Sequence, residues 1–456
     1  MGAPTEHHIR PPHPPPPPHA GPTSPTLAAL ALRLREAEPT RHGLLVEEFW
    51  RLVDREGTPL VEPLAGDPDH RAVTFLWRGH RATRQVLLLA NRLTDRERLA
   101  DSLLTPLPGT DIWYLTHRLR ADHRASYSLV SDISPSPPPA DPERGQRRLR
   151  ALTAHAAHDP RNSRVLPGRW HRPDSSVFAL PQAPPQPWTT PRDGIARGGV
   201  ERLTLRSTAL DAERRVWVYL PPGWAASLDV LVLPDGDMWF GRLGLRHTLD
   251  ALLADRKIRP LAVLAPDAVD QPTRWREVGA HEEYVHFLAE ELLPWARDRW
   301  PLSQDPGRTV IAGQSLGGMA ALYAGLRRPD RFGRLLAQSP SLWWRPGHPP
   351  EVPRQLPDGR PWLADRFAER PAVEGAPRPR VHLEVGRYEG TMVDLCHQLR
   401  DTLDDLGHRV TLTEYNGGHD YACWRGGLAD ALVELLGDGA PLTTEPATGP
   451  VVRGAR

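Results

Sequence analysis

The chain has 456 residues, 39% of them apolar, which is enough for two or three domains with at least one sizeable core and excludes a small single-motif protein. Its 57 basic and 56 acidic side chains nearly cancel, so net charge offers no case for nucleic acid or an anionic membrane surface as partner. Lys257 is the sole lysine and follows Arg256; without a Gly-Lys pair, a Walker-type phosphate loop is excluded.

The 52 Pro and 37 Gly, about a fifth of the chain, are expected mainly in tails and linkers. Residues 1–25 are dominated by Pro and His, with neither a basic n-region nor an apolar h-region, and are expected as an unfolded, extended tail. No apolar run approaches the roughly 18 residues of a membrane span. The two cysteines, Cys396 and Cys423, suit reduced thiols better than a disulfide scaffold. The expected location is therefore the cytoplasm, with no membrane partner.

From residue 27 to 52 the apolar spacing predicts one or two helices. Short segments of strand character follow at 72–77, 85–89, 111–119 and 126–130. Together they predict a small β-rich domain over 26–190. A Pro-rich break at 134–142 precedes an arginine-rich helix, and a second break at 181–199 is the better domain boundary. Beyond residue 200, strands are predicted at 215–220, 230–233, 261–265, 309–312, 334–337, 381–385 and 410–414, with helices between most of them. Apolar, non-alternating strands separated by helices imply a mostly parallel sheet covered on both faces. This α/β domain is predicted over 191–437, with a Pro- and Arg-rich insertion at 345–380 and a disordered tail at 438–456.

The strongest chemical signal is Gly313-Gln314-Ser315-Leu316-Gly317-Gly318, set after a predicted strand and before a predicted helix. Glycines flank the serine because such a turn is too tight for side chains, and it lifts the hydroxyl out at the end of the sheet. Ser315 is therefore the candidate nucleophile. A serine hydroxyl needs a base, and in this architecture an acid and then a histidine follow it along the chain. His419, in Gly417-Gly418-His419-Asp420 after the last predicted strand, is the favoured base. Glu389, after the strand at 381–385, is the best-placed acid, with Asp394 second. The oxyanion donors expected are the N–H of Leu316 and one from Pro234-Asp235-Gly236-Asp237, that of Asp237 or its neighbour. A plain tight turn accounts for that second loop equally well.

Aromatic and cationic residues gather on the same loops: Trp239, Trp275, Trp343, Trp344 and Trp424, with Arg274, Arg276, Arg345, Arg387 and Arg425. Flat apolar walls beside forked charges suit an anionic aromatic ligand. His155 and His158 lack a third ligand, so no metal is assigned to catalysis and no cofactor is expected.

Taken together, these residues resemble the enterochelin (enterobactin) esterase family. The resemblance rests on Gly313–Gly318 running into Ala321-Leu322-Tyr323-Ala324-Gly325, on Gln338-Ser339-Pro340-Ser341-Leu342-Trp343-Trp344, and on Gly417-Gly418-His419-Asp420-Tyr421-Ala422-Cys423-Trp424-Arg425. Phe75-Leu76-Trp77-Arg78, Gly109-Thr110-Asp111-Ile112-Trp113 and Leu180-Pro181-Gln182-Ala183-Pro184 extend it to the N-terminal part. It implies an immunoglobulin-like β-sandwich preceding an α/β-hydrolase domain, and hydrolysis of the trilactone esters of a catecholate siderophore to release iron. Ser315, His419 and Glu389 would be nucleophile, base and acid, with Arg274 and Glu277 in a family-like loop. Iron would enter only as part of a ferric, trianionic substrate, which would give the arginines and tryptophans a task. A general carboxylesterase or acyl-transferase of the same fold, and a non-catalytic siderophore-binding protein, are the competing expectations.

Overall fold

The computed structural model describes residues 24–224, 227–347, 359–370 and 378–437, and the backbone of His7–His8 and Gln355–Leu356. Of the expected tails at 1–25 and 438–456, only Ser24, Pro25 and the backbone of His7–His8 are among the described residues, and about half of the insertion at 345–380 lies outside them. Against the expected unfolded tail, His7–His8 pairs antiparallel with Gln355–Leu356 of the insertion. Within that insertion Trp362–Glu369 is a helix.

The N-terminal region opens with two helices, Pro25–Glu36 and His42–Glu56. Ser24 caps the first by accepting the Leu27 N–H at 3.2 Å, the role its short hydroxyl side chain suits. The second buries Leu45, Val46, Phe49, Trp50 and Val53 as one apolar stripe, packed against Leu60, Leu76 and Ile112 of the adjacent sheet. Two four-stranded antiparallel sheets follow. One runs Leu60–Leu64, Asp67–Arg78, Ile112–Arg120, Thr105–Pro106; the other runs Gln85–Ala90, Arg124–Asp132, Ser175–Ala179, Val165–Leu166. Val73, Phe75 and Leu115 of the first meet Val86, Leu88, Tyr127 and Phe178 of the second in a shared core. Four of these eight strands were not anticipated: Leu60–Leu64, Thr105–Pro106, Val165–Leu166 and Ser175–Ala179. Each is short, and three of the four contain a proline or have only two residues, so local patterning is weak.

The C-terminal region is built on one eight-stranded sheet in the order Gly199–Ser207, Ala212–Leu220, Leu261–Pro266, Asp229–Val232, Thr309–Gln314, Arg334–Gln338, Arg380–Gly386, Val410–Tyr415. Ala212–Leu220 is antiparallel to both neighbours and every later pairing is parallel. This is the α/β-hydrolase type of sheet. Its central strands are buried on both faces, and successive side chains go to opposite layers. Val230, Val232, Ile311, Leu335 and Ala337 join the core under helices Leu316–Arg327 and Thr391–Asp405. Leu231, Leu233, Val310, Ala312 and Leu336 join the core under Leu245–Ala254 and Tyr421–Leu436. The edge strand Gly199–Ser207 was not anticipated; most of its positions are exposed or half-buried, and its apolar side chains Val200, Leu203 and Leu205 pack only at the margins of the two cores. No helix among the described residues is long and apolar enough to cross a membrane.

Candidate active site

Ser315 stands between the strand Thr309–Gln314 and the helix Leu316–Arg327. Its backbone lies at φ 58°, ψ −120°, a conformation an L-residue holds only when its surroundings impose it. The flanking glycines show what imposes it. A Cβ on Gly313 would sit 2.1 Å from the Gly317 carbonyl oxygen, and one on Gly318 3.1 Å from that of Gly313. The Ser315 hydroxyl is 3.2 Å from that of Ser341.

The parallel register carries two further loops to the same end of the sheet. Glu389 follows Arg380–Gly386 and His419 follows Val410–Tyr415, the two strands beyond Arg334–Gln338. His419 Nδ1 lies 2.7 Å from Glu389 Oε2. A carboxylate only accepts, so Nδ1 carries the proton and Nε2 is left with a free lone pair. Glu389 is fully buried, and its other oxygen accepts from the Ser339 hydroxyl at 2.6 Å and the Gly386 N–H at 2.9 Å. Burial pushes this carboxyl up, but His419, Arg92 and Ser339 outweigh it and hold the group below the ordinary carboxylate range. Asp394 is exposed on the helix Thr391–Asp405. The His419 ring is braced edge-on by Trp424, at 4.7 Å between centroids. Among the described residues no hydrogen bond joins His419 to Ser315, and such contacts commonly tighten only with substrate bound.

Leu316 is the first helical residue after Ser315, and Asp237 lies in the first turn of Gly236–Trp239. N–H groups at such positions have no partner within their helix. Asp235, at φ 68°, is buried and forked by Arg274 through two 2.7 Å hydrogen bonds. Arg274 also donates to the Gln314 carbonyl at 3.1 Å, tying this loop to the residue before Ser315.

The expected arginine and tryptophan wall is largely not an open surface. Trp239 is buried and donates to Gln314 Oε1 at 2.9 Å; Trp424 is buried and donates to Ser339 Oγ at 3.0 Å. Trp343 packs on Trp275, and Trp344 on His281 and Trp362. Arg274 is committed to Asp235, Arg387 to Glu414 at 3.3 Å, and Arg425 to Gln186 at 3.2 Å. Large flat rings beside a site gain more from burial than from exposure, and arginines pair with the nearest acceptor. Arg345 is half-buried.

Sequence reasoning missed the share of the N-terminal region. Asn91 Nδ2 donates to the His419 carbonyl at 2.9 Å, and the Ser126 N–H donates to the Asp420 carboxylate at 2.6 Å. Arg169 reaches both Asp235 and Asp237. These partners stand far apart in sequence, and no local pattern signals them.

The comparisons follow this division of the chain. A family model described as "Enterochelin esterase, N-terminal" matches residues 72–189, and one described as "Putative esterase" matches residues 207–435. An iron(III) salmochelin esterase of Escherichia coli is 35% identical over 89% of this chain and 97% of its own length. The chain belongs to the enterochelin esterase family. An iron(III) enterobactin esterase of Dickeya dadantii is likewise 35% identical to this esterase, over 86% of the chain and 93% of its own. The crystal structure of the Shigella flexneri enterobactin esterase in the presence of enterobactin matches with a TM-score of 0.71 at 28% identity, over 85% of this chain and 97% of that one. The ferric enterobactin esterase of Salmonella typhimurium matches with a TM-score of 0.70 at 30% identity, over 85% and 98%.

Proposed function

We propose that this esterase hydrolyses the trilactone esters of a ferric catecholate siderophore in the cytoplasm, with Ser315 as nucleophile, His419 as general base and Glu389 as the orienting acid. The observation that carries the residue assignment is the 2.7 Å hydrogen bond between His419 and the fully buried Glu389, presented beside the strained turn at Ser315. His419 Nε2 takes the Ser315 proton as Oγ attacks the ester carbonyl, and the N–H groups of Leu316 and Asp237 receive the oxyanion. The imidazolium returns its proton to the departing seryl alkoxide. Water, activated by the same nitrogen, then releases the acid from Ser315.

The names of the relatives support the substrate class, since salmochelin and enterobactin esterases align with nearly the whole chain. Arg345 and Arg92 carry no hydrogen bond or ion pair among the described residues, and both are left to meet an anionic ligand. Cys396 and Cys423 are buried free thiols, which suits a reducing compartment.

The same reading takes 26–190 and 191–437 as two domains, the first an immunoglobulin-like sandwich. In chain order its first, second, fifth and fourth strands make one sheet, and its third, sixth and last lie side by side in the other. That arrangement supports the immunoglobulin-like assignment.

A serine-directed fluorophosphonate tests the catalytic assignment. Labelling at Ser315 that is lost in Ser315→Ala, together with loss of ester turnover, is the expected result; turnover retained in Ser315→Ala removes Ser315 from its role.

A further inference from the structure

The loop at 168–174 of the N-terminal region crosses to the turn that holds Asp237. Gly168 N–H donates to Asp174 Oδ1 at 2.9 Å, and a Cβ on Gly168 would lie 1.9 Å from the Arg172 carbonyl oxygen. Trp170 and His171 both sit in the left-handed region, at φ 51° and 64°. Two consecutive non-glycine residues in that region persist only where the surroundings over-determine them. The loop presents Arg169, its guanidinium 4.0 Å from the Trp170 ring centroid and its side chain 12% exposed.

Arg169 is shared by two carboxylates. Nε donates to Asp237 Oδ2 at 2.8 Å, and Nη2 to Asp237 Oδ1 at 2.6 Å and to Asp235 Oδ1 at 3.0 Å. Asp235 is also forked by Arg274, so two guanidinium groups face two carboxylates and the cluster is neutral. A third carboxylate, Asp267, lies nearby and accepts from the Trp217 indole at 2.6 Å; burial first, and then the charge on Asp237, push its carboxyl above the ordinary range. The position of a Cβ on Gly317, two residues past Ser315, is 3.7 Å from Asp235 Oδ2 and 3.8 Å from Arg274 Nη2. The cluster therefore lies against the place where an ester oxygen becomes negative.

Without Arg169, Arg274 alone would face Asp235 and Asp237. An uncompensated carboxylate in a poorly solvated site opposes a developing oxyanion far more strongly than it would in water. We propose that Arg169 of the N-terminal region is a positioning residue for ester hydrolysis. It neutralises Asp235 and Asp237 and holds their turn so that its amide faces the oxyanion. This rests on the reading of Asp237 as an oxyanion donor, and it makes the N-terminal region part of the catalytic apparatus rather than only a cover.

The test measures kcat and KM on p-nitrophenyl butyrate and on an iron-free trilactone, with folding of each variant checked by circular dichroism. Arg169→Gln is expected to lower kcat about 100-fold with KM within about threefold. Adding Asp237→Asn to Arg169→Gln restores neutrality and is expected to recover at least about tenfold in kcat, a rescue that a merely structural contact does not produce. Arg169→Lys keeps the charge, loses the fork and is the safer variant for folding. It is expected to lose about threefold to tenfold in kcat and the same factor in affinity for an alkylboronic acid, which forms a tetrahedral anion on Ser315. Arg169→Gln within threefold of the parent, a double variant no faster than the single, or Arg169→Lys with lowered kcat but undiminished boronate affinity overturns the proposal. Ser315→Ala in the same assay separates the two readings. If it is inactive while Arg169→Gln is unaffected, only the Arg169 proposal fails; if it stays active, the catalytic reading itself fails.

Discussion

The side-chain amide of Asn91 donates to the backbone carbonyl of His419 at 2.9 Å, across 328 residues of chain. The neighbouring Arg92 lies against Gly418, where an added Cβ would come within 2.4 Å of Arg92 Cγ. The Ser126 N–H holds Asp420 on the other side of the histidine. The loop that carries the imidazole is thus pinned from outside its own sheet, which is how a loop residue can be kept within the narrow tolerance of proton transfer.

Removing that hydrogen bond frees the His419 carbonyl without touching the ring. Asn91→Ala is expected to lower kcat/KM about threefold to tenfold and to destabilise the fold by about 1 kcal/mol. Steady-state kinetics alongside a thermal melt checks both. An unaltered kcat/KM with lowered stability would show that the contact serves the fold alone.

Glu389 fixes the tautomer that leaves His419 Nε2 basic. Glu389→Gln keeps the shape, but its amide can hold the ring with the wrong nitrogen protonated, and kcat is expected to fall about 1,000- to 10,000-fold. Substituting Asp394, which is exposed, is expected to leave kcat within about twofold. A larger loss at Asp394 than at Glu389 in stopped or steady-state assays would reverse the assignment.

The backbone at Ser315 is strained, and glycine adopts φ 58° at no steric cost. Ser315→Gly is therefore expected to abolish hydrolysis while raising stability by about 1 kcal/mol, read as a Tm increase of about 2–4 °C. A lowered Tm would mean that the hydroxyl contributes more to the fold than the strain removes.

Beneath the site, buried polar groups run across the strands. Gln314 Nε2 donates to Gln338 Oε1 at 2.9 Å, and Gln338 Nε2 to Glu384 Oε2 at 2.7 Å. His382 lies beyond, 2.8 Å from Glu434 through Nδ1 and 3.3 Å from Glu384 through Nε2, the latter without the alignment of a hydrogen bond. Burial alone would push the His382 pKa down, but the two carboxylates overcome it and raise it to about 9. Its folded value thus exceeds the unfolded value of about 6.5. Its stabilisation is complete below about pH 6.5 and is lost as pH rises through 9. Tm is expected to fall by about 5 °C between pH 7 and 9.5, and His382→Gln to start lower and lose most of that slope. A parent curve that is flat over this interval contradicts the charged His382.

The parts of the fold that repeat a local pattern could be read in the sequence, including the apolar central strands such as Leu261–Pro266 and Thr309–Gln314 and the helices that follow them. The glycines around Ser315 were legible for the same reason, since the turn itself demands them. The edge strand Gly199–Ser207 was not, because one face is solvated and the alternation carries few apolar residues. Trp239 and Trp424 show the opposite error. They were read as ligand walls from their place near the site, whereas each is buried with its indole N–H used internally. Arg169 with Asp237, and Asn91 with His419, were beyond local reading altogether, because only the packing of the two regions brings them together.

The most direct test is chromatography of the products after incubating the protein with a ferric and an iron-free catecholate trilactone, with Ser315→Ala in parallel. The expected result is opening of the trilactone to linear seryl esters and their shorter fragments by the parent protein and none by Ser315→Ala. If both trilactones stay intact while a short acyl ester is cleaved, the siderophore assignment is wrong and a general carboxylesterase takes its place.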